Sequence, residues 1–159
     1  MFNIKQFREL IIQPVLNNLQ MYSDNAEELL VFTCATESKG GTYLHQVKGR
    51  ALGIYQCEPS TYSDLWNNYI LHRHSLLMML SLNFNAPRIP DPSRLIYDLH
   101  FATAMCRIDY RRESQALPEK NDIDGIWDYY KSYYNSALGK ATKDKSIAAY
   151  NSFIGAKKT

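Results

Sequence analysis

Two short stretches of this chain hold residue types suited to chemistry. In the first, Glu37 and Ser38 precede Gly40 and Gly41, so a carboxyl and a hydroxyl stand where a helix is predicted to stop. In the second, Gly53-Ile54-Tyr55-Gln56 leads through Pro59 to Thr61. A carboxyl at a helix C-terminus meets the negative end of the helix dipole, and apolar neighbours withdraw it from water. Both effects favour the protonated form that a general acid needs. A glutamate near a helix end is ordinarily solvated, a serine there ordinarily caps, and a glycine after a hairpin ordinarily turns the chain. Ser38 and the glycines after it set Glu37 apart. A third stretch carries Tyr129, Tyr130, Tyr133 and Tyr134 at helical spacing, where packing is the usual role, and only Asn135 and Gly139 distinguish Tyr134.

Other candidate groups have simpler explanations. Glu58 and Asp64 could each supply a second carboxylate, but both stand near a predicted helix start, where the dipole favours the ionised acid and capping accounts for them. His72 and His74 are two positions apart, point to different sides of a helix and have no third ligand at usable spacing, so no metal is expected. Arg107, Arg111 and Arg112, interleaved with Asp109 and Glu113, read as a salt-bridged solvated face. Lys140, Lys143, Lys145, Lys157 and Lys158 supply a weak positive field. Cys34, Cys57 and Cys106 are odd in number and widely spaced, which fits reduced thiols rather than a disulfide framework.

The elements that must hold these groups are mainly helical. Phe7, Leu10, Ile11, Val15 and Leu19 recur at helical spacing, with Pro14 set to kink or split the segment. Asp24 and Glu27 give a capping-box-like start to an apolar helix over 26–36 that carries Leu29, Leu30 and Phe32. From Tyr43 to Gln56 the apolar residues alternate around Lys48-Gly49-Arg50, which predicts a short β-hairpin. Ser60 or Thr61 caps a predicted helix through Leu65, Tyr69, Leu76 and Leu80. After a loop with Pro87, Pro90 and Pro92, Ser93 caps another running to Arg112. Asp122 or Asp124 caps a helix carrying Ile126, Tyr130 and Tyr133, and a last helix covers about 143–154. The predicted fold class is α+β, predominantly α-helical, with a small β-hairpin insertion.

Composition bounds the reading. The 159 residues are 45% hydrophobic and 21% charged, which predicts one domain over 1–159 with its own core. A net charge of +2 gives no nucleic-acid footprint, and no stretch approaches the ~18 apolar residues of a membrane span. Residues 1–10 lack an apolar run of a secretory signal, which predicts synthesis in the cytosol without export by the general pathway. The unusual feature is tyrosine, 12 residues, whose flat apolar face and polar tip suit a sugar-binding groove as well as a core.

Taken together, the three stretches resemble the lytic transglycosylases and goose-type lysozymes of the lysozyme-like superfamily. That family carries a helix-terminal Glu-Ser, a Gly-Leu-Met-Gln-x-x-Pro-x-Thr segment and an Ala-Tyr-Asn-Ala-Gly-x-Gly segment. Here these correspond to Glu37-Ser38, to the segment from Gly53 to Thr61, and to the segment from Tyr133 to Gly139. The order is kept, and Glu37 precedes Gly53 by 16 positions (53 minus 37), the spacing common in the soluble lytic transglycosylases. Ile54 and Tyr55 replace Leu and Met, Glu58 stands where Met is common, and Ala137 replaces the first Gly of the third segment. The resemblance covers roughly 26–139, and the motif-bearing core about 24–142.

The resemblance implies a lysozyme-like fold and cleavage of the β-1,4 link between N-acetylmuramic acid and N-acetylglucosamine. Most glycosidases use two carboxylates, whereas a transglycosylase uses the substrate's own C6 hydroxyl as nucleophile, so one glutamate acts as acid and then as base and the product is a 1,6-anhydro sugar. Glu37 carries over as that catalytic residue. Ser38 carries over as a group that contacts substrate or orients the carboxylate. Gly53 allows close backbone approach, Gln56 holds a backbone or N-acetyl group, Tyr134 places its hydroxyl near Glu37 and the cleaved sugar, and Asn135 fixes the surrounding loop. Tyr55 is expected, with Tyr134, to face the glycan groove. A compact domain of this kind resembles phage-encoded versions, which act in the periplasm or cell wall either as endolysins or from within the virion. The expected partners are peptidoglycan glycan strands and, for a virion-borne version, other virion proteins. Neither cofactor nor nucleic acid is expected, and the chain is expected to be a monomer. Two alternatives stand beside this one: a non-catalytic phage structural or glycan-binding protein on the same fold, and a hydrolytic muramidase.

Overall fold

A computed structural model describes residues 1–135 and 139–155. Ser136, Ala137 and Leu138 of the third stretch, and Lys157 and Lys158, lie outside the described residues. The protein is mostly helical, with no sheet among the described residues.

At the N-terminus α1 (Ile4–Phe7) runs through a π-helical turn (Arg8–Ile12) into α2 (Gln13–Asn18). The widened turn lies just ahead of Pro14, which has no N–H for the Leu10 carbonyl; His100 Nε2 lies 2.9 Å from that oxygen and serves it instead. The proline therefore deforms the segment without splitting it.

The centre of the molecule is α3 (Asp24–Ser38), capped by Ser23, whose hydroxyl accepts from the Ala26 N–H at 3.0 Å. Buried residues occupy every side of it, including Leu29, Leu30, Val31, Phe32, Cys34 and Ala35, so it is a helix wrapped by others rather than an amphipathic surface one. Around it pack α7 (Leu99–Arg111), α8 (Ile123–Tyr130) and α9 (Lys143–Gly155). Near the start of α3, Arg8 bridges Glu27 and Glu28 at 3.0 and 2.9 Å, and the Tyr150 hydroxyl donates to Glu28 at 2.5 Å. These bonds tie the N-terminal segment and α9 to the same helix.

Between α3 and α4 (Pro59–Asn68) the predicted β-hairpin is replaced by turns joined through two isolated antiparallel bridges, His45 with Leu52 and Leu52 with Cys57. The cause is visible in the backbone. Lys48, Gly53 and Gln56 all take positive φ, which turns the chain too often for a ladder to extend. The helix predicted from Ser60 to Leu80 is also divided, because Tyr69 (φ −130°) ends α4 and a short 3-10 turn (Ile70–His72) leads to α5 (His74–Phe84). Likewise α6 (Arg94–Tyr97) stops at Asp98, whose side chain accepts from the Phe101 N–H at 2.9 Å and caps α7. The α8 helix begins at the predicted cap, with Asp122 accepting from the Gly125 N–H at 2.9 Å, and ends in a second π-helical turn (Lys131–Asn135). Among the described residues no helix is long and apolar enough to cross a membrane.

Candidate active site

The end of α3, the turns of 43–58, α7, the π-helical turn after α8 and the start of α9 enclose a cleft of about 790 Å³. Glu37 lines it, together with Gln56, Tyr134 and Asn135, so four of the seven residues singled out from the sequence meet there. Glu37 sits in the last turn of α3, held at its rim because Lys39 reverses the chain in the left-handed region (φ 52°). Burial pushes its carboxyl up to about 7, against opposing hydrogen bonds from Tyr130 and Asn135. The carboxyl is thus poised to hold or release a proton near neutral pH.

The hydroxyl on Glu37 is that of Tyr130, which donates to Oε1 at 2.5 Å. The resemblance assigned this place to Tyr134. Tyr134 instead donates to the Tyr55 carbonyl at 2.6 Å and stacks on Tyr110 and Tyr130, with ring centroids 5.3 and 6.1 Å away. Tyr130 and Tyr134 share one helical face, one turn apart, so the sequence offered two tyrosines for one position. Tyr134 still lines the cleft, where it binds the turn of the second stretch to the helix of the third.

Asn135 is held from behind. Lys131 Nζ donates to Asn135 Oδ1 at 2.8 Å, to the Gly139 carbonyl at 2.8 Å and to the Ala141 carbonyl at 3.3 Å, so one ammonium spends its three hydrogens on this segment. With the amide oxygen engaged there, the amide N–H groups are left for Glu37, whose ionised form they stabilise. Gly139 permits the arrangement, since a Cβ there would lie 2.1 Å from Asn135 Oδ1 and 2.3 Å from its carbonyl oxygen.

Three expectations are corrected. Ser38 is fully buried, its hydroxyl donating to the Cys34 carbonyl at 3.1 Å and accepting from the Gly41 N–H at 2.9 Å; it caps the helix and offers no surface to a ligand. Tyr55 is only 2% exposed and points inward, its hydroxyl 3.1 Å from Thr103 Oγ1. Its own backbone requires this, because Gln56 next to it takes φ 47° and turns outward to line the cleft. Gly53 (φ 76°) does allow a close approach, but to the Leu95 carbonyl, which a Cβ would meet at 2.1 Å. Gln56 in turn donates from Nε2 to the Gly53 carbonyl at 2.9 Å, which fixes its side chain at the cleft wall.

Several residues that the sequence explains by capping, solvation or simple packing lie at or beside the cleft. Asp109 is only 7% exposed rather than part of a solvated face, pairs with Arg112, and is pushed up by burial against the pull of that guanidinium. Arg107, likewise buried, is drawn down by desolvation. Cys57 lines the cleft with its thiol pushed up to about 12, mainly by burial and then by the Asp109 and Glu58 carboxylates, so it stays protonated. Glu58 is the N-cap residue of α4 yet makes no capping hydrogen bond; its exposed side chain is free to face the cleft. Asp64 is committed elsewhere, accepting from Asn68 at 2.6 Å and Arg112 at 2.7 Å. No group of three His, Cys, Asp or Glu residues that could hold a metal ion occurs among the described residues. Comparison with protein-family models, curated proteins and solved structures gave no match to this chain.

Proposed function

We propose that this protein is a lytic transglycosylase of lysozyme-like fold that cleaves the β-1,4 bond between N-acetylmuramic acid and N-acetylglucosamine in peptidoglycan. The observation that carries the reading is Glu37, a carboxyl that burial holds near pH 7 at the wall of a large cleft that Gln56, Tyr134 and Asn135 also line. In the proposed reaction protonated Glu37 gives its proton to the glycosidic oxygen as the bond to C1 of the muramic acid breaks. The C6 hydroxyl of the same sugar then attacks C1 and passes its proton to the Glu37 carboxylate. The products are a 1,6-anhydro end and a free N-acetylglucosamine hydroxyl, no water is consumed, and Glu37 is returned to its acid form. Tyr130 and Asn135 support the carboxylate stage, since each hydrogen bond favours the ionised form. A phage enzyme acting on the wall at entry or at lysis is the setting that fits a compact catalytic domain of this kind.

Glu58 favours a second reading. A carboxylate that caps nothing and faces the cleft could activate water, which would make the protein a hydrolytic muramidase. Digestion of purified peptidoglycan by the wild type and by Glu37→Gln, with mass spectrometry of the fragments, separates the two. Anhydro ends lost in the variant support transglycosylation, reducing ends support hydrolysis, and absence of any release by the wild type on several wall types rejects both.

A further inference from the structure

The cleft is lined by cations as well as by carboxylates. Lys39 after the end of α3, Lys140 in the 139–142 segment and Lys145 in the first turn of α9 all line it. Glu58 and Asp109 line the cleft as well, and Asp109 is paired with Arg112. All three lysines are exposed, and none is within salt-bridge distance of a carboxylate among the described residues. Lys143, which does not line the cleft, is bridged to Asp124 at 2.9 Å, and Lys131 is spent on Asn135 and two backbone carbonyls. Lys39, Lys140 and Lys145 thus line the cleft without a carboxylate partner among the described residues. Lys39 is further placed over the Tyr43 ring, 5.8 Å from its centroid, at the edge where that tyrosine lines the cleft.

We infer that these three cleft-lining lysines form a subsite for a carboxylate carried by the glycan strand. The inference rests on the peptidoglycan reading and narrows it to strands that carry acid groups. A carboxylate is drawn to the three lysines, so strands that carry acid groups are bound in preference to neutral ones. A cleft concentrates such a field more than a flat surface does. The acid group has two sources in peptidoglycan, the stem peptide and the lactyl carboxyl left when the stem is removed.

The test measures binding by titration calorimetry of three soluble glycans to the Glu37→Gln protein, in which turnover is blocked. They are strands with stem peptides, strands stripped of their stems to free lactyl carboxyls, and a chitin hexamer without carboxyls. Each is repeated with Lys39→Gln, Lys140→Gln and Lys145→Gln combined, and with Lys5→Gln on α1 as a control lysine outside the cleft; circular dichroism establishes that each variant is folded. The expected result is a loss of about tenfold or more in affinity for a carboxylate-bearing strand in the combined variant, with the chitin hexamer and the Lys5 control unmoved. Loss with stem-bearing strands alone assigns the subsite to the stem, loss with stripped strands alone assigns it to the lactyl carboxyl, and loss with both means that the lysines take either carboxylate. Affinity of the combined variant for both carboxylate-bearing strands equal to that of the Glu37→Gln parent, in a protein whose wild type releases muropeptides, overturns the subsite and leaves the proposed activity standing. Failure to bind any of the three, with no release by the wild type, overturns both.

Discussion

Tyr130 donates its hydroxyl hydrogen to Glu37 Oε1 at 2.5 Å, across 93 positions of sequence, while being fully buried itself. A hydrogen bond of this kind favours the ionised carboxyl, and burial opposes it; burial wins, leaving Glu37 near 7. In the proposed reaction the acid form starts the chemistry, so the rate falls as pH rises through about 7. Tyr130→Phe removes the donor and with it part of the stabilisation of the carboxylate. The alkaline limb of the pH–rate profile is therefore expected to move upward in this variant, with kcat reduced. A limb that stays in place would mean that the phenol does not act on the Glu37 proton.

The same displaced carboxyl should be visible in stability. Glu37 titrates near 7 when folded and near its ordinary 4.5 when unfolded. Below 4.5 both states hold the proton and no penalty exists; as pH rises towards 7 the unfolded chain releases its proton first and the folded state loses ground. The loss approaches about 3 kcal/mol, reduced by whatever solvent relaxation the half-buried site allows. Glu37→Gln is expected to abolish activity and to be more stable than the wild type at pH 8, with the difference fading by pH 4. Urea denaturation at the two pH values measures it, and an equal difference at both would contradict a buried, displaced acid.

Lys131 offers a separate handle on the site. Its ammonium binds Asn135 Oδ1 and the Gly139 and Ala141 carbonyls, all within 3.3 Å. Lys131→Met keeps the stem and removes the donors, so Asn135 can rotate and its N–H groups leave Glu37. Stability is expected to fall by about 1–3 kcal/mol, and kcat to fall more than KM rises, with the pH–rate limb moving upward as in Tyr130→Phe. Lys131→Arg, which retains charge and donors, should recover part of the rate. A loss of stability with an unmoved pH profile would restrict Lys131 to a purely structural role.

How much of this was legible in the sequence depends on which force placed each residue. The α8 helix, announced by periodicity and by its Asp122 cap, and the last helix, expected near 143–154, lie where those local signals put them. Glu37 was legible because its neighbours Ser38, Gly40 and Gly41 mark a helix end. The choice between Tyr130 and Tyr134 was not, because two residues one turn apart look alike until a partner from α3 meets one of them. Nor was the fate of Asp109, since its burial arises from packing of α7 against the turns of 43–58, and its alternation with arginines looked like a solvated surface. The predicted hairpin is reduced to isolated antiparallel bridges for a related reason. Alternation of apolar residues predicts two faces of a strand, but Ala51, Ile54 and Tyr55 are buried by turns that bring them inward one at a time.

Gly53 gives the sharpest structural test of how the second stretch is built. Its backbone takes φ 76°, and a Cβ would stand 2.1 Å from the Leu95 carbonyl oxygen, a backbone atom that cannot swing aside as a side chain could. Gly53→Ala is thus expected to destabilise the protein by on the order of 3 kcal/mol, from strain at positive φ together with the displaced contact. The damage should reach the cleft, because Gln56 is held by the Gly53 carbonyl and Tyr134 by the Tyr55 carbonyl two residues on. Tyr55→Phe, by contrast, removes only a buried hydroxyl that pairs with Thr103, and is expected to cost about 1 kcal/mol of stability with KM unchanged. Thermal unfolding and glycan affinity measured on the two variants separate these effects. A Tyr55→Phe protein of normal stability but weakened glycan binding would return that tyrosine to the groove and contradict its inward placement.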